Sequence, residues 1–505
     1  MKKINKLALS ITSALLLNGS LLMAETYVSQ FADPIIPDTE QSTRELVNNK
    51  RLFKWYAKRD LTINFQNKGV KSFDLYINGI KIDTSKHLKP EEFNITVQGK
   101  YLHDGSGNTL SIQNVQPIDK TLHVNLPYPT LEQGKPRDVG FSDKLLSKVD
   151  ELIENDVKNG FPGASITIVK NGKIVKASSY GYAHKYENST TLMKEPELAT
   201  PETMYDMASN TKMFATNFAV MHLVDDGKIN INDPIHKYIP LYTGKDANGQ
   251  SRDERTVKDI LTHSAGYMPD PKFFDPDEVS VYGKNLYSQN KVLTENIICR
   301  ELPFAGPRGG LPNYSDVDYM LLGMVVEHVT GMPLDKYVES TLYKPLGLTH
   351  TLYNPLEKGF KPSDCAATEL DGNSRGGTVI FPNERMDVIQ GQCHDEKAFY
   401  CMGGVSGHAG LFSNIEDMAV LCQVMLNNGG YGNVKLWNED VESQFVKPSD
   451  LDITFGLGWR RQGDEDLTWH FGAYASEYAV GHTGWTGTGH GNRPEIRHGY
   501  YTADQ

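Results

Sequence analysis

The tetrapeptide Ser209-Asn210-Thr211-Lys212 opens an apolar run that continues at helical spacing to Val224 and stops at Gly227. Three residues of helix bring a hydroxyl and an ammonium to one face, where they can touch. A serine hydroxyl is a weak nucleophile that needs a base beside it, and a lysine kept from water among cations can surrender its proton near neutral pH. The same four residues also describe a helix N-cap with a solvated lysine, so the tetrapeptide alone does not fix the chemistry.

Two further stretches strengthen it. Pro312-Asn313-Tyr314-Ser315-Asp316 precedes an apolar helix over 319–329, and a tyrosine there can relay a proton if neighbouring cations lower its pKa. His482-Thr483-Gly484-Trp485 places a glycine where a strand could approach a substrate and present backbone N–H groups to a developing oxyanion.

Ser-x-x-Lys, Tyr-Ser-Asp and His-Thr-Gly in this order resemble the serine β-lactamase and penicillin-binding-protein family, in the branch of class C β-lactamases, soluble DD-carboxypeptidases and related esterases. Three more stretches look like that branch: Ile260 to Gly266, Tyr343 to Leu348, and Gly403 to Ser413. The last, with His394-Asp395-Glu396, is similar to a penicillin-binding protein 4B-like group. The likeness runs from about Phe141 to Thr488. It implies that Ser209 is acylated, that Lys212 and Tyr314 share proton transfer, and that the N–H groups of Ser209 and Trp485 form the oxyanion hole. Ser315, Asp316, His482, Thr483, Gly484 and Trp485 are the implied substrate-binding residues. The implied reaction is D-alanyl-D-alanine carboxypeptidase or endopeptidase action on cell-wall peptides. The alternatives are a carboxylesterase or weak β-lactamase on the same site, and a non-catalytic binder. No metal or cofactor is expected, since His263 and His408 have no partners at ligand spacing and read as structural hydrogen-bonding residues.

Three departures from the family pattern matter. His482 stands where many β-lactamases have lysine, giving a cation only below about pH 6.5, so activity on a carboxylate-bearing substrate is expected to follow histidine titration. Asp316 stands where asparagine is usual, exchanging an amide for a charged acceptor. Residues 489–505 carry Ile496 as their one aliphatic residue, and read as an atypical, frameshifted or truncated tail unable to supply further strands.

Helix and strand patterns alternate from 136 to 488 without a βαβ rhythm, which predicts an α+β hydrolase domain: an antiparallel sheet flanked by helices, with a mainly helical insert. Before it, the period-two runs between Leu61 and Leu126, punctuated by Asn78-Gly79, predict a small all-β sandwich within residues 25–135, ending in a Pro-containing linker. A spacer or packing role fits this module best, with carbohydrate or cell-wall contact as the alternative. Lys2, Lys3 and Lys6 before an apolar stretch ending at Ala24 read as a signal peptide over 1–24, placing the mature chain in the periplasm or outside the cell. No later stretch predicts a membrane span. A net charge of −12 disfavours nucleic-acid partners. The five cysteines are an odd set; Cys393 and Cys401 could bridge, but buried free thiols are the favoured state.

Overall fold

Alternation between Leu61 and Leu126 puts every second side chain on one face of a strand, and in the computed structural model those faces share a core. The structure describes residues 26–29, 50–117, 120–188, 191–277, 285–374, 379–463, 467–493 and 498–504. The signal peptide expected over 1–24 lies outside these residues. The chain divides into two compact units at Tyr128 and Pro129.

The first unit holds β1 (Thr26–Ser29), β2 (Lys50–Trp55), β3 (Leu61–Lys68), β4 (Ser72–Ile77), β5 (Ile80–Ile82), β6 (Glu91–Val97), β7 (Gly105–Gln116) and β8 (Thr121–Asn125). They form two four-stranded sheets, ordered β1-β8-β3-β6 and β2-β7-β4-β5. Ile63, Phe65 and Ile95 from the first meet Leu75, Ile77 and Ile112 from the second in one buried cluster. Asn78 and Gly79 both take positive φ, 51° and 79°, as a two-residue hairpin whose twist matches its strands requires.

In the second unit the stretch read as linker contains β9 (Glu132–Gln133), which pairs in parallel with Lys173 and Ile174 of the main sheet, so the boundary between units falls at Tyr128 rather than after 135. The eight-stranded sheet runs β12 (Thr191–Leu198), β11 (Lys173–Asn188), β10 (Gly163–Lys170), then the strands His498–Asp504, Gly489–Arg493, Val480–Thr483 and Arg460–Arg461, with β9 beside β11. Period two decides how β10 is covered. Ile166 and Ile168 pack with Val149 and Ile153 of the helix Asp143–Lys158, while Val169 packs with Ala419, Cys422 and Leu426 of the helix Ile415–Leu426. The helix Asp316–Thr330 is buried on every side from Val317 to Val326, which accounts for a sequence there that is apolar but for Asp318 and Gly323. Segment 406–408 lies directly against it: a Cβ on Gly407 would fall 2.0 Å from the Tyr319 carbonyl oxygen. All five cysteines are buried free thiols, with no Cys393–Cys401 bridge.

The expectation of a strandless tail is overturned. His498–Asp504 pairs with β10 from Lys170 to Ala164 and, on its other side, with Gly489–Arg493, which pairs in turn with Val480–Thr483. The segment escapes an apolar-pattern reading because its inward positions are polar. His490 and Asn492 are buried, and His490 packs its ring 4.5 Å from that of Phe214. The intervening glycines belong to a tight ladder, in which a Cβ on the facing Gly481 would meet the His490 carbonyl oxygen at 2.2 Å. Ending the chain at Thr488 should therefore strip partners from both β10 and Val480–Thr483, at about 1–3 kcal/mol per buried group left unpaired. The expected outcome is loss of the cooperative thermal transition of residues 129–488 by calorimetry; a melt like that of the full chain would refute the role given to these strands.

Candidate active site

Asp206 sets the approach to Ser209. Its buried carboxylate accepts the Ala208 N–H at 2.8 Å through Oδ1 and the His394 N–H at 2.7 Å through Oδ2. Burial pushes this carboxyl up to about 6 against those two donors. Ala208 takes φ +43°, a left-handed conformation that costs a non-glycine residue about 1–3 kcal/mol and survives only where neighbours enforce it. Ser209 follows on a single helical turn, Ala208–Asn210.

The sheet grips the same turn from the other side. His490 Nδ1–H donates to Asn210 Oδ1 at 2.8 Å, Asn210 Nδ2 to Thr488 Oγ1 at 2.9 Å, and Thr488 Oγ1 to the Met207 carbonyl at 3.1 Å. Thr486 Oγ1 donates to the Asp206 carbonyl at 2.6 Å. Gly484 fits between: a Cβ there would come 2.6 Å from the Met207 carbonyl oxygen. The glycine thus serves the close approach of strand to turn, and the neighbouring Trp485 is 74% exposed at the rim.

Lys212 is fully buried, and its three donors are taken by Ser209 Oγ at 3.0 Å, Asp316 Oδ1 at 2.8 Å and the His408 carbonyl at 3.2 Å. Its Nζ also lies 4.8 Å from the centroid of the Tyr314 ring. The Tyr314 hydroxyl interacts with both Lys212 and Ser209. Serine and lysine meet as their spacing implied and tyrosine joins them as the resemblance implied, but not with the expected proton affinities. Burial pulls the ammonium down, yet Asp316 and then Tyr314 outweigh it and hold Lys212 above its usual range. Burial likewise raises Tyr314, with Lys212 offsetting only part of the rise.

His263 holds the tyrosine loop. Its carbonyl accepts the Asn313 N–H at 2.8 Å and its Nδ1 accepts the Ser315 N–H at 3.1 Å, bracketing Tyr314 on both sides. The same Nδ1 lies 2.9 Å from Asp318 Oδ2. An Nδ1 that accepts from Ser315 requires Asp318 to be the donor. Burial supplies that state, lowering His263 to about 3 and raising Asp318 well above the carboxylate range, so the pair is neutral.

Behind Asp316 lies a set of charges that spacing did not reveal. Lys397, buried on a helical turn over Lys397–Cys401, binds Asp316 Oδ2 at 3.1 Å, contacts Asp270 closely, and approaches Asp395 at 3.8 Å. Asp395 Oδ1 accepts the Ala398 N–H and sits 2.9 Å from His408 Nε2. Asp316, Asp395 and His408 bring ligand-type atoms within 4.8 Å of one another. Asp316 is already bound to the ammoniums of Lys212 and Lys397, and His408 to Ser406 and Asp395, an arrangement suited to internal charge balance rather than to a divalent cation.

A cleft of about 240 Å³ opens over Ser209, lined among others by Tyr314, Asp316, Asp270, Lys397 and Trp485. Two residues expected to touch substrate lie behind its wall instead. Ser315 donates its hydroxyl to the Met268 carbonyl at 2.7 Å. His482 is 3% exposed and donates Nδ1–H to the Thr483 carbonyl at 2.7 Å. Burial, then Lys212, push His482 well below its usual pKa, so it stays neutral where a cation was expected at mildly acid pH. Asp206, Asp270 and Lys397 were missed by sequence reasoning. The one available signal was the family-like run beginning at His394, which marks the segment but not its fold over Lys212.

The family model described as Beta-lactamase matches residues 149–501, and the chain belongs to that family of hydrolases. A Salmonella agona protein named "Putative D-alanyl-D-alanine carboxypeptidase" is 51% identical over 364 residues, 72% of this chain and 82% of the relative; one of the same name from Salmonella typhi matches equally. Among solved structures, EstCE1, titled "a hydrolase with promiscuous acyltransferase activity", superposes with a TM-score of 0.53 at 18% identity, over 72% of this chain and 94% of its own. A penicillin-binding protein homologue from Caulobacter crescentus gives 0.51 at 19% identity, over 72% and 92%. These likenesses show the fold.

Two outcomes follow from the buried histidines. The unfolded chain protonates His482 below about pH 6.5 while the native chain does not, so this residue removes stability as pH falls, by about 1.4 kcal/mol per unit. His482→Gln should therefore lose stability less steeply than the parent between pH 6.5 and 5 in denaturant titrations, and equal slopes would contradict a neutral His482. For Asp318, replacement by Asn preserves a donor toward His263 and should cost less than replacement by Ala, for which about 1–3 kcal/mol is expected. Equal losses would show that the donor is not needed.

Proposed function

We propose that this chain is an exported serine acyl hydrolase that forms an acyl-enzyme on Ser209 and acts as a D-alanyl-D-alanine carboxypeptidase or endopeptidase on cell-wall peptides. The observation that carries the reading is the approach of Lys212 Nζ to Ser209 Oγ at 3.0 Å beneath an open cleft, beside Tyr314. The relatives named as carboxypeptidases support the substrate class. In this mechanism Ser209 attacks the carbonyl while the Lys212/Tyr314 pair takes its proton and returns one to the leaving amine. The Ser209 N–H, with that of Trp485, receives the oxyanion. Water then attacks the ester, activated by the same pair. Asp316 holds Lys212 in register. Export rests on the signal-like residues 1–24, and among the described residues no helix is long and apolar enough to cross a membrane. The β-sandwich is proposed as a spacer, with cell-wall contact as its alternative role.

The neutral, buried His482 favours a second reading. A carboxypeptidase substrate brings a terminal carboxylate, and this strand offers it no cation, so a carboxylesterase that needs none is the alternative. A fluorescent penicillin should label the parent, and Ser209→Ala should lose the label while keeping its thermal transition. Release of D-alanine from a D-Ala-D-Ala peptide, at a kcat/KM above that for a short-chain ester, is the expected result. Labelling that persists in Ser209→Ala would overturn the acyl-enzyme, and ester hydrolysis without D-alanine release would transfer the assignment to the esterase.

A further inference from the structure

Asp316 raises a difficulty for any mechanism in which Lys212 exchanges a proton. A carboxylate at 2.8 Å from a buried ammonium anchors it as a cation and withholds the base that Ser209 needs. An asparagine, usual at this position, would hold the lysine without that penalty. The structure contains a compensating charge. Asp316 is shared: Oδ1 binds Lys212 and Oδ2 binds Lys397, which is itself almost fully buried.

We propose that Lys397 is a positioning residue for catalysis, which by binding the second oxygen of Asp316 leaves the Lys212/Tyr314 pair free to exchange the Ser209 proton. The inference rests on Ser209 being the acylated group. Lys397 acts in two ways. It neutralises the carboxylate that would otherwise confront Lys212 alone, and it places a like charge on the far side of that carboxylate, which disfavours a second ammonium nearby. The surrounding groups fix the sign. The tyrosine loop and the helix Asp316–Thr330 present Tyr314, Asp316 and the neutral Asp318 to Lys212. The neighbouring loop presents His263, and the sheet presents His482, both kept neutral by burial. The segment 395–408 brings Asp395, Lys397 and His408, and Asp270 closes on Lys397 from the loop at Pro269. Three carboxylates, Asp270, Asp316 and Asp395, thus surround the two ammoniums. Taking Lys397 away leaves Lys212 as the one ammonium bound to Asp316, so the lysine must bind its proton more tightly.

The pH profile of Ser209 acylation distinguishes this role from a structural one. The measurement is stopped-flow acylation by a chromogenic cephalosporin or p-nitrophenyl ester, in parallel with thermal melts. Lys397→Gln should move the acidic limb of the acylation rate up by about one pH unit and lower the rate at pH 7 about tenfold, with little change in KM. Lys397→Arg keeps the cation and should retain the parental limb. Asp316→Asn/Lys397→Gln removes both charges together and should return the limb toward the parental position. It also avoids leaving Asp316 short of one of its two cations, so it remains informative if Lys397→Gln alone does not fold. A uniform loss of rate at every pH in Lys397→Gln, or a double variant no better than the single, would overturn the proposal. Should the parent fail to acylate Ser209 at any pH, the proposed function falls and this inference falls with it; a parent that acylates beside a Lys397→Gln variant with an unmoved limb removes this inference alone.

Discussion

The contact between Lys212 and Asp316 is the interaction around which the second unit is organised. Two opposite charges are withdrawn from water at 2.8 Å, and removing one partner of such a pair typically costs about 3–5 kcal/mol because the other is left buried and unmatched. Everything nearby can be understood as meeting that requirement. The His408 carbonyl and Ser209 hydroxyl complete the lysine's donors, and Lys397 completes the carboxylate's acceptors. Bringing these groups together demands the close packing of segment 406–408 on the helix Asp316–Thr330, where glycine at 407 is the only residue that fits.

The immediate surroundings are built on neutral polar groups. His263 with Asp318, His490 with Asn210, and His482 on the carbonyl of Thr483 are all buried and uncharged. Each fixes a backbone or side-chain position by hydrogen bonding while adding no charge to a site that already holds several. The strained Ala208 belongs to the same scheme, since Asp206 on one side and Thr488 on the other hold the turn that presents Ser209.

The sequence disclosed those features that local periodicity and short spacing encode. Leu61 to Leu126 announced a sandwich because period two is visible one residue at a time, and Ser209 with Lys212 announced their meeting because a helix fixes it. The role of Lys397 was not legible, since a lysine in an irregular segment carries no sign of what it will face. His482 misled for a related reason: its type states an intrinsic proton affinity, whereas its burial, set by distant strands, decides the actual one. Residues 489–493 misled because their buried positions are polar or glycine, and the Asn210 side chain that binds His490 lies 280 residues away in the sequence.

The pairing of β10 with His498–Asp504 also has a bearing on how the molecule comes into being. One of the earliest strands of the second unit waits, with an open edge, for a strand far along the sequence, and the central ladder closes only when that strand arrives. Such long-range closure is slow and keeps intermediates exposed to aggregation until it is complete. Until that strand arrives, the second unit carries an unfinished sheet, with unpaired backbone groups along one side of β10.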